Sequence, residues 1–439
     1  MVKAFFRRLA SGLARPRVRV VLGVAVIALG VAGYVAGPHL WASYHLRAGT
    51  RELDRHHPRA AYVHLDRVLR IWPESAEAHR LAARAARRDG DLDAAQRHLV
   101  ECQRLEKRPT EETLLEWAMF RAACGNLAEI QTFLHDKIQA GDPRSGLIYE
   151  ALIEGYLRVY QIYAALGGLR EWLEKEPNHP VALSLRGRTF QRVHSYSKAV
   201  DDFRRVIEID AERDDDRYRL ADCLLEVGQP EEAGRHLEML RVRRPQDDQV
   251  LIRLAFAWHQ TGRSGESLEV LDALLARAPD NVLALSAHAQ IDFQLGRIAA
   301  AESYARRALA LDPYDRQAHF TLYQALAQQP GREEEAKLQQ AQVRQLEVHL
   351  NRLLEVTNRL IPQRPKDPEL HCELGTLLRS LGRKELALGW YESALKLDPN
   401  HPGTHRALAD YYTETGDPQK AAQHRLHADA NIPKTGSGP

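Results

Sequence analysis

The stretch Pro368–His401 reads PELHCELGTLLRSLGRKELALGWYESALKLDPNH. With Pro368 as position 1, Leu374, Gly375 and Leu378 stand at positions 7, 8 and 11. That spacing puts them on one side of a helix. Ala387, Tyr391 and Ala394, at positions 20, 24 and 27, mark the apolar side of a second helix. Between them, Gly382 at position 15 can take the left-handed conformation that ends a helix. Pro399 at position 32 stops the second helix. The unit is therefore a helix, a tight turn and a helix, with small residues where the two helices cross. It is too small to bury both faces alone, so it has to stack on neighbours.

The same register recurs. Residues 180–213 supply Gly187, Phe190, Ala199, Phe203 and Val206. Residues 214–247 supply Leu220, Ala221, Leu224, Gly228, Ala233, Leu237, Leu240 and Pro245. Residues 248–281 supply Leu254, Ala255, Trp258, Gly262, Leu271, Leu274 and Pro279. Units can be tiled from 42, 76, 111, 146, 180, 214, 248, 282 and 316, then from 368 and 402. Two are weak: 76–109 has Lys107 at the proline position, and 111–144 has Ile130 at position 20. The last unit has Arg425 at position 24, which suits a polar terminal cap.

These residues resemble the tetratricopeptide repeat, with its W-x2-L-G-x2-Y…A-x3-F…A-x4-P pattern. The resemblance covers roughly nine-tenths of the chain. It implies an all-α fold: a right-handed α-solenoid of about 10–11 helix–turn–helix units with a concave groove.

Residues 332–361 break the tiling. From Arg332 to Ile361 there is neither Gly nor Pro, which predicts one long helix of about 45 Å. Pro365 lies 34 residues before Pro399, so the second half reads as a hidden unit fused to the preceding helix. The stripe Leu346, Leu350, Leu353 and Leu360 would pack on flanking repeats or, alternatively, pair with a second copy.

The N-terminus is different. Residues 1–19 hold Lys3, Arg7, Arg8, Arg15, Arg17 and Arg19 and no acid, so they carry +6 of a net +2 and leave −4 for the rest. Such a body is not a nucleic-acid binder. Val20–Ala36 is uncharged, and with the residues to Trp41 it is long enough to span a bilayer. Tyr34, Trp41 and Tyr44 suit an interfacial aromatic belt. The expected organisation is a basic cytoplasmic segment 1–19, an uncleaved signal anchor 20–41, a repeat array 42–331, a long helix or fused repeat 332–367, a terminal repeat pair 368–431 and a disordered tail 432–439. The basic flank places the N-terminus in the cytoplasm and the array outside, in the periplasm of a double-membraned bacterium. With 11 of the 61 basic residues being Lys and much Ala and Leu, the usage suggests a GC-rich bacterial genome.

Chemistry is sparse. No G-x-S-x-G, phosphate-binding glycine loop, dinucleotide fingerprint or H-E-x-x-H occurs. Cys102, Cys124, Cys223 and Cys372 are far apart in sequence, which excludes C-x-x-C chemistry; Cys102 and Cys223 read as small core residues. Asp89-Gly90-Asp91 imitates a calcium loop but has Val100 where glutamate is required. His56-His57, His401/His405 and His424/His427 read as solvated helix-end histidines. No catalytic residue, metal or cofactor is expected.

In the family this chain resembles, the groove is lined by positions 2, 5, 9 and 12 of each first helix. That implies Arg80, Arg84 and Arg87 at a basic N-terminal end, then Arg188, Tyr218, Phe256, His259, Phe293 and Phe320 as partner-binding residues. The acidic-tail clamp of some relatives, with Lys and Asn at positions 2, 5 and 6, is missing. The expected function is a membrane-anchored, non-catalytic scaffold that binds protein or peptide partners through the groove. It is expected to be a monomer, with the long helix leaving a dimer open. The alternative is an assembly or regulatory factor for envelope polysaccharide, lipopolysaccharide or secretion machinery.

Overall fold

The computed structural model describes residues 16–430, with side chains from Tyr34 onward except at 35, 358 and 430. Every regular element among the described residues is helical. Two compact units are present, divided after Gly155.

The 34-residue register is visible in the backbone. In one unit, helix Asp214–Glu226 is followed by helix Pro230–Arg243; in the next, Asp248–Gln260 by Ser264–Arg277. Side-chain oxygens of Ser75, Thr110, Asp247, Asn281, Asp315 and Asp367 cap first helices, satisfying N–H groups the helix leaves open. Gly90, Gly125, Gly228, Gly262, Gly296, Gly382 and Gly416 all sit at the turn position with positive φ. The residue after each turns back to the helix; Arg263 N–H, for example, donates to the Trp258 carbonyl at 2.7 Å. The non-glycine residues with positive φ, His56, Tyr160 and His194, lie at that same repeat position. The superposed units therefore dictate the backbone there even where the sequence supplies a side chain that disfavours it.

Small residues set how closely helices cross. A methyl group on Gly187 would come within 2.9 Å of the Phe203 ring, and one on Gly375 within 2.5 Å of Tyr391. Both rings are fully buried. In the first unit a Cβ on Gly155 would meet the Ala122 carbonyl at 2.1 Å. The weak 111–144 repeat has a short second helix, Gln131–Gln139, that starts after Ile130 instead of before it.

The long helix is present and continuous. It runs Glu333–Glu355, widens into a π turn at Val356–Leu360 and continues over Ile361–Gln363. Ile361 N–H reaches back five residues to the Val356 carbonyl. Pro362 follows, has no N–H and crowds the carbonyl four residues back, so the backbone takes up the wider turn just before it. Helix Arg316–Ala327 packs along the first half and Pro368–Ser380 along the second. Arg316 pairs with Glu347 and Arg352 with Glu373. Tyr314, in the turn before helix Arg316–Ala327, lies against Gly382, in the turn after helix Pro368–Ser380. Leu346, Leu353 and Leu360 face inward, with Leu353 and Leu360 on the C-terminal core, while Leu350 stays 39% exposed.

Among the described residues no helix is long and apolar enough to cross a membrane. The expected anchor falls largely on Val20–Gly33 and Val35, whose side chains lie outside the described residues, although the backbone helix Pro16–Asp54 passes through them.

Candidate binding groove

First helices carry charge at the positions expected to line the groove, and the two units treat it differently. In the N-terminal unit, Arg80 pairs with Glu112 at 3.1 Å, and Arg84 and Arg87 share Glu116 at 3.0 and 3.3 Å. Arg88 pairs with Glu150 at 2.8 Å and also donates to the Leu53 carbonyl. Arg87 and Glu116 are fully buried. Burial alone would raise the Glu116 carboxyl, but Arg84 and Arg87 outweigh it and hold it below the usual carboxylate range. Arg88 does the same for Glu150. The basic stretch foreseen at Arg80, Arg84 and Arg87 is thus an ion-pair ladder across successive repeats.

In the C-terminal unit the corresponding surface is open. Helices beginning at Asp214, Asp248, Val282 and Arg316 enclose a cavity of about 510 Å³. Tyr218, Ile252, Phe256 and Leu283 give it an apolar wall; Gln249, Ser286, Gln290 and Gln317 give it hydrogen-bonding groups. Arg253 stands at its edge and holds Asp222 at 2.8 Å. Burial works against the Arg253 charge, but Asp222 and then Tyr218 outweigh it and hold its pKa above the ordinary value. Asp222 also accepts from the Gln191 amide at 2.8 Å, and Gln191 in turn accepts from Arg219 at 3.1 Å. The chain Arg219–Gln191–Asp222–Arg253 links three repeats. Arg219 and its neighbour Arg188 form no ion pair among the described residues. Burial and then Arg188 lower the Arg219 pKa, against the opposing pull of Asp216, Asp215 and Asp222, none of which forms an ion pair with it.

The structure brings Tyr218 and Phe256 together in the cavity and places Arg188 beside Arg219. His259 bonds Ser264, Phe293 is half-buried, and Phe320 rests 6.4 Å from Tyr323; none of these three lines the cavity. Sequence reasoning passed over Arg219 and Arg253. Both occupy repeat position 6, one residue beyond a position already read as groove-lining. Two arginines at one repeat position were the available signal.

Of the histidines expected at solvated helix ends, His57 and His427 are exposed, whereas His401 and His405 are buried. His79, His319, His371 and His405 recur at repeat position 4, each less than a tenth exposed. Each Nε2 lies 3.0–3.1 Å from the carbonyl of the proline six residues earlier. With Nε2–H donating there, a neutral ring leaves Nδ1 as an acceptor. Nδ1 faces the second helix: His98 at 3.0 Å from His79, and His424 at 2.9 Å from His405. The proline that ends one repeat is thus tied to the first helix of the next. His401 is also buried, and its ring caps its own helix by accepting from Thr404. Cys102, Cys223 and Cys372 are buried, and burial pushes Cys223 up to about 12.

Three segments match family models described as tetratricopeptide repeat: residues 194–251, 260–316 and 368–401. No curated protein matches the chain in sequence. Among solved structures, the human IFIT1 dimer with m7Gppp-AAAA is 18% identical over 74% of this chain and 90% of that one, with a TM-score of 0.39. A tetratricopeptide repeat protein from Parabacteroides merdae is 14% identical over 65% and 99%, with a TM-score of 0.34. The APC/C hetero-tetramer Cut9–Hcn1 is 14% identical over 95% and 86%, with a TM-score of 0.32. Likeness of that degree says nothing about a ligand. The three matched segments are tetratricopeptide repeats, and helix pairs continue their 34-residue register on either side.

Proposed function

We propose that this protein is a non-catalytic scaffold whose C-terminal unit binds a partner protein through a short acidic and apolar segment. One observation carries the reading: a cavity with an apolar wall of Tyr218, Ile252 and Phe256 is linked through Arg253, Asp222 and Gln191 to Arg219, which, like its neighbour Arg188, forms no ion pair among the described residues. A side chain of the partner fills the cavity against Phe256. An adjacent Asp or Glu supplies the ion-pair partner that Arg219 lacks. The glutamines at the rim hold the partner's backbone, since an amide can both donate and accept. We further propose that Val20–Trp41 anchors the protein in a membrane with the repeats on the side opposite the basic N-terminus; the run of uncharged residues and its six flanking cations support this.

The binding reading is tested by panning a random peptide library displayed on phage against the full-length protein. Recovered peptides are expected to carry Asp or Glu within a few residues of a large apolar one. Phe256→Ala and Arg219→Ala should each weaken a recovered peptide about tenfold or more, with melting temperature unchanged. Arg219→Ala should also flatten the salt dependence. Recovery of peptides without acid, or equal binding by both variants, overturns the proposal. The topology is tested by alkaline phosphatase fused after Gly436, which should be active in intact cells.

A further inference from the structure

A second cavity, of about 760 Å³, lies in the N-terminal unit beside the C-terminal part of helix Pro16–Asp54. Leu40, Tyr44, Arg47 and Arg51 line it from that helix, and Glu77 lines it from the next repeat. The four are spaced i, i+4, i+7 and i+11, so they form one face that changes from apolar to basic along about 16 Å. Leu40 and Tyr44 are well exposed.

Its charges are unusual for this unit. On the neighbouring first helix Arg80, Arg84, Arg87 and Arg88 each hold a glutamate. Arg47 and Arg51 hold none among the described residues; the polar contact made by Arg51 is with the Arg47 carbonyl, at 3.4 Å. Glu77 lines the same cavity and pairs with neither. Two cations and one anion therefore face a shared space without neutralising each other. The complement is a ligand that carries a negative and a positive group together, with an apolar stem.

We infer that this cavity holds the headgroup of a zwitterionic glycerophospholipid with a primary ammonium, phosphatidylethanolamine. The phosphate lies against Arg47 and Arg51, which can donate to it in pairs. The ammonium lies against Glu77, and the glycerol and acyl stem run back along Tyr44 and Leu40. The inference rests on the reading of Val20–Trp41 as a membrane anchor. In that frame Arg47 stands about 9 Å and Arg51 about 15 Å beyond Trp41 along the helix, outside the roughly 5–8 Å that polar regions add to each side of the hydrocarbon, so both side chains would reach back along the helix to the headgroup. A phosphatidylcholine headgroup has no ammonium hydrogen for Glu77, and phosphatidylglycerol has no positive group at all.

Native mass spectrometry of the full-length protein, exchanged into detergent with equal amounts of phosphatidylethanolamine, phosphatidylglycerol and phosphatidylcholine, measures the retained lipid. The expected result is one phosphatidylethanolamine retained at least tenfold over phosphatidylcholine. Arg47→Gln with Arg51→Gln should abolish retention, while Arg47→Lys with Arg51→Lys keeps most of it. Glu77→Gln should reverse the preference toward phosphatidylglycerol. Equal retention of all three lipids by the native protein, or a preference unchanged in the double glutamine variant, overturns the inference. So does displacement by equimolar soluble phosphoethanolamine, because the acyl stem would then contribute nothing. Unchanged far-ultraviolet circular dichroism of each variant shows that loss of lipid is not loss of fold. Flotation of the native chain with pure phosphatidylcholine vesicles reads the anchor separately: failure to float rejects the anchor, and lipid retention in detergent still judges the site.

Discussion

The N-terminal and C-terminal units present the same kind of surface, with opposite outcomes for its charge. In the first, Glu116 and Glu150 come from the first helices of the following repeats and close Arg84, Arg87 and Arg88 into ion pairs. In the second, Gln191 stands where a carboxylate would neutralise Arg219, and the cavity beside it stays open. One acid on a neighbouring helix decides whether an arginine at such a position is closed into an ion pair or left without one. Arginine in a groove is therefore not by itself a sign of binding.

The largest expected effect tests the closed side. Glu116→Ala leaves Arg84 and Arg87 with buried, uncompensated charge and should lower stability by about 3–5 kcal/mol in urea unfolding. Arg219→Ala, with no ion pair to lose, should lower it by less than about 1 kcal/mol. Equal losses would break the distinction between the units.

Closing the open side is the next test. In Gln191→Glu the new carboxylate would take the place of the amide oxygen that now accepts from Arg219. Stability should change by about 1 kcal/mol or less, while affinity for an acidic peptide falls about tenfold. Isothermal titration of the variant against the native protein measures it; unchanged affinity would mean the anion site lies elsewhere.

Acid should act on the N-terminal unit in two stages. Burial, and then His79, lower the His98 pKa to about 4. A histidine held neutral on folding contributes stability that is present above its unfolded pKa of about 6.5 and is lost as pH falls from there toward 4. Glu116 is held below its ordinary value, so its contribution is present above about 4.3 and goes only on further acidification. Melting temperature should fall across both windows. His98→Gln should flatten the profile between pH 6.5 and 4 and leave the lower stage intact; an unaltered profile would remove the histidine pair from the account.

The smallest effect concerns the turn residue. His194 in the C-terminal unit takes φ of 57° where the following repeat has Gly228. His194→Gly should stabilise by about 1 kcal/mol, since a side chain in that conformation costs roughly 1–2 kcal/mol and the Tyr196 contact at 2.7 Å is given up. Thermal unfolding would show it as a rise in melting temperature of a few degrees. A fall would mean that His194 earns its place through that contact.

The repeat was legible because helix period, turn glycine and terminal proline are local, and each is enforced by backbone sterics within 34 residues. For the same reason Gly187 and Gly375 could be assigned to helix crossings, and the unbroken helix after Arg332 could be read from the absence of Gly and Pro. The partners of charged groups were not legible. Arg84 and Glu116 are 32 residues apart, and His79 and His98 are 19 apart. Their meeting depends on how one helix is seated on the next. The sequence by itself determined the repeat, its turns and its boundaries, since these follow from chain conformation. Only the tertiary structure decided that Arg87 is buried in an ion pair while Arg219 is not. Whether a charge is closed or open depends on which residue of a neighbouring helix stands opposite it, and stacking alone sets that.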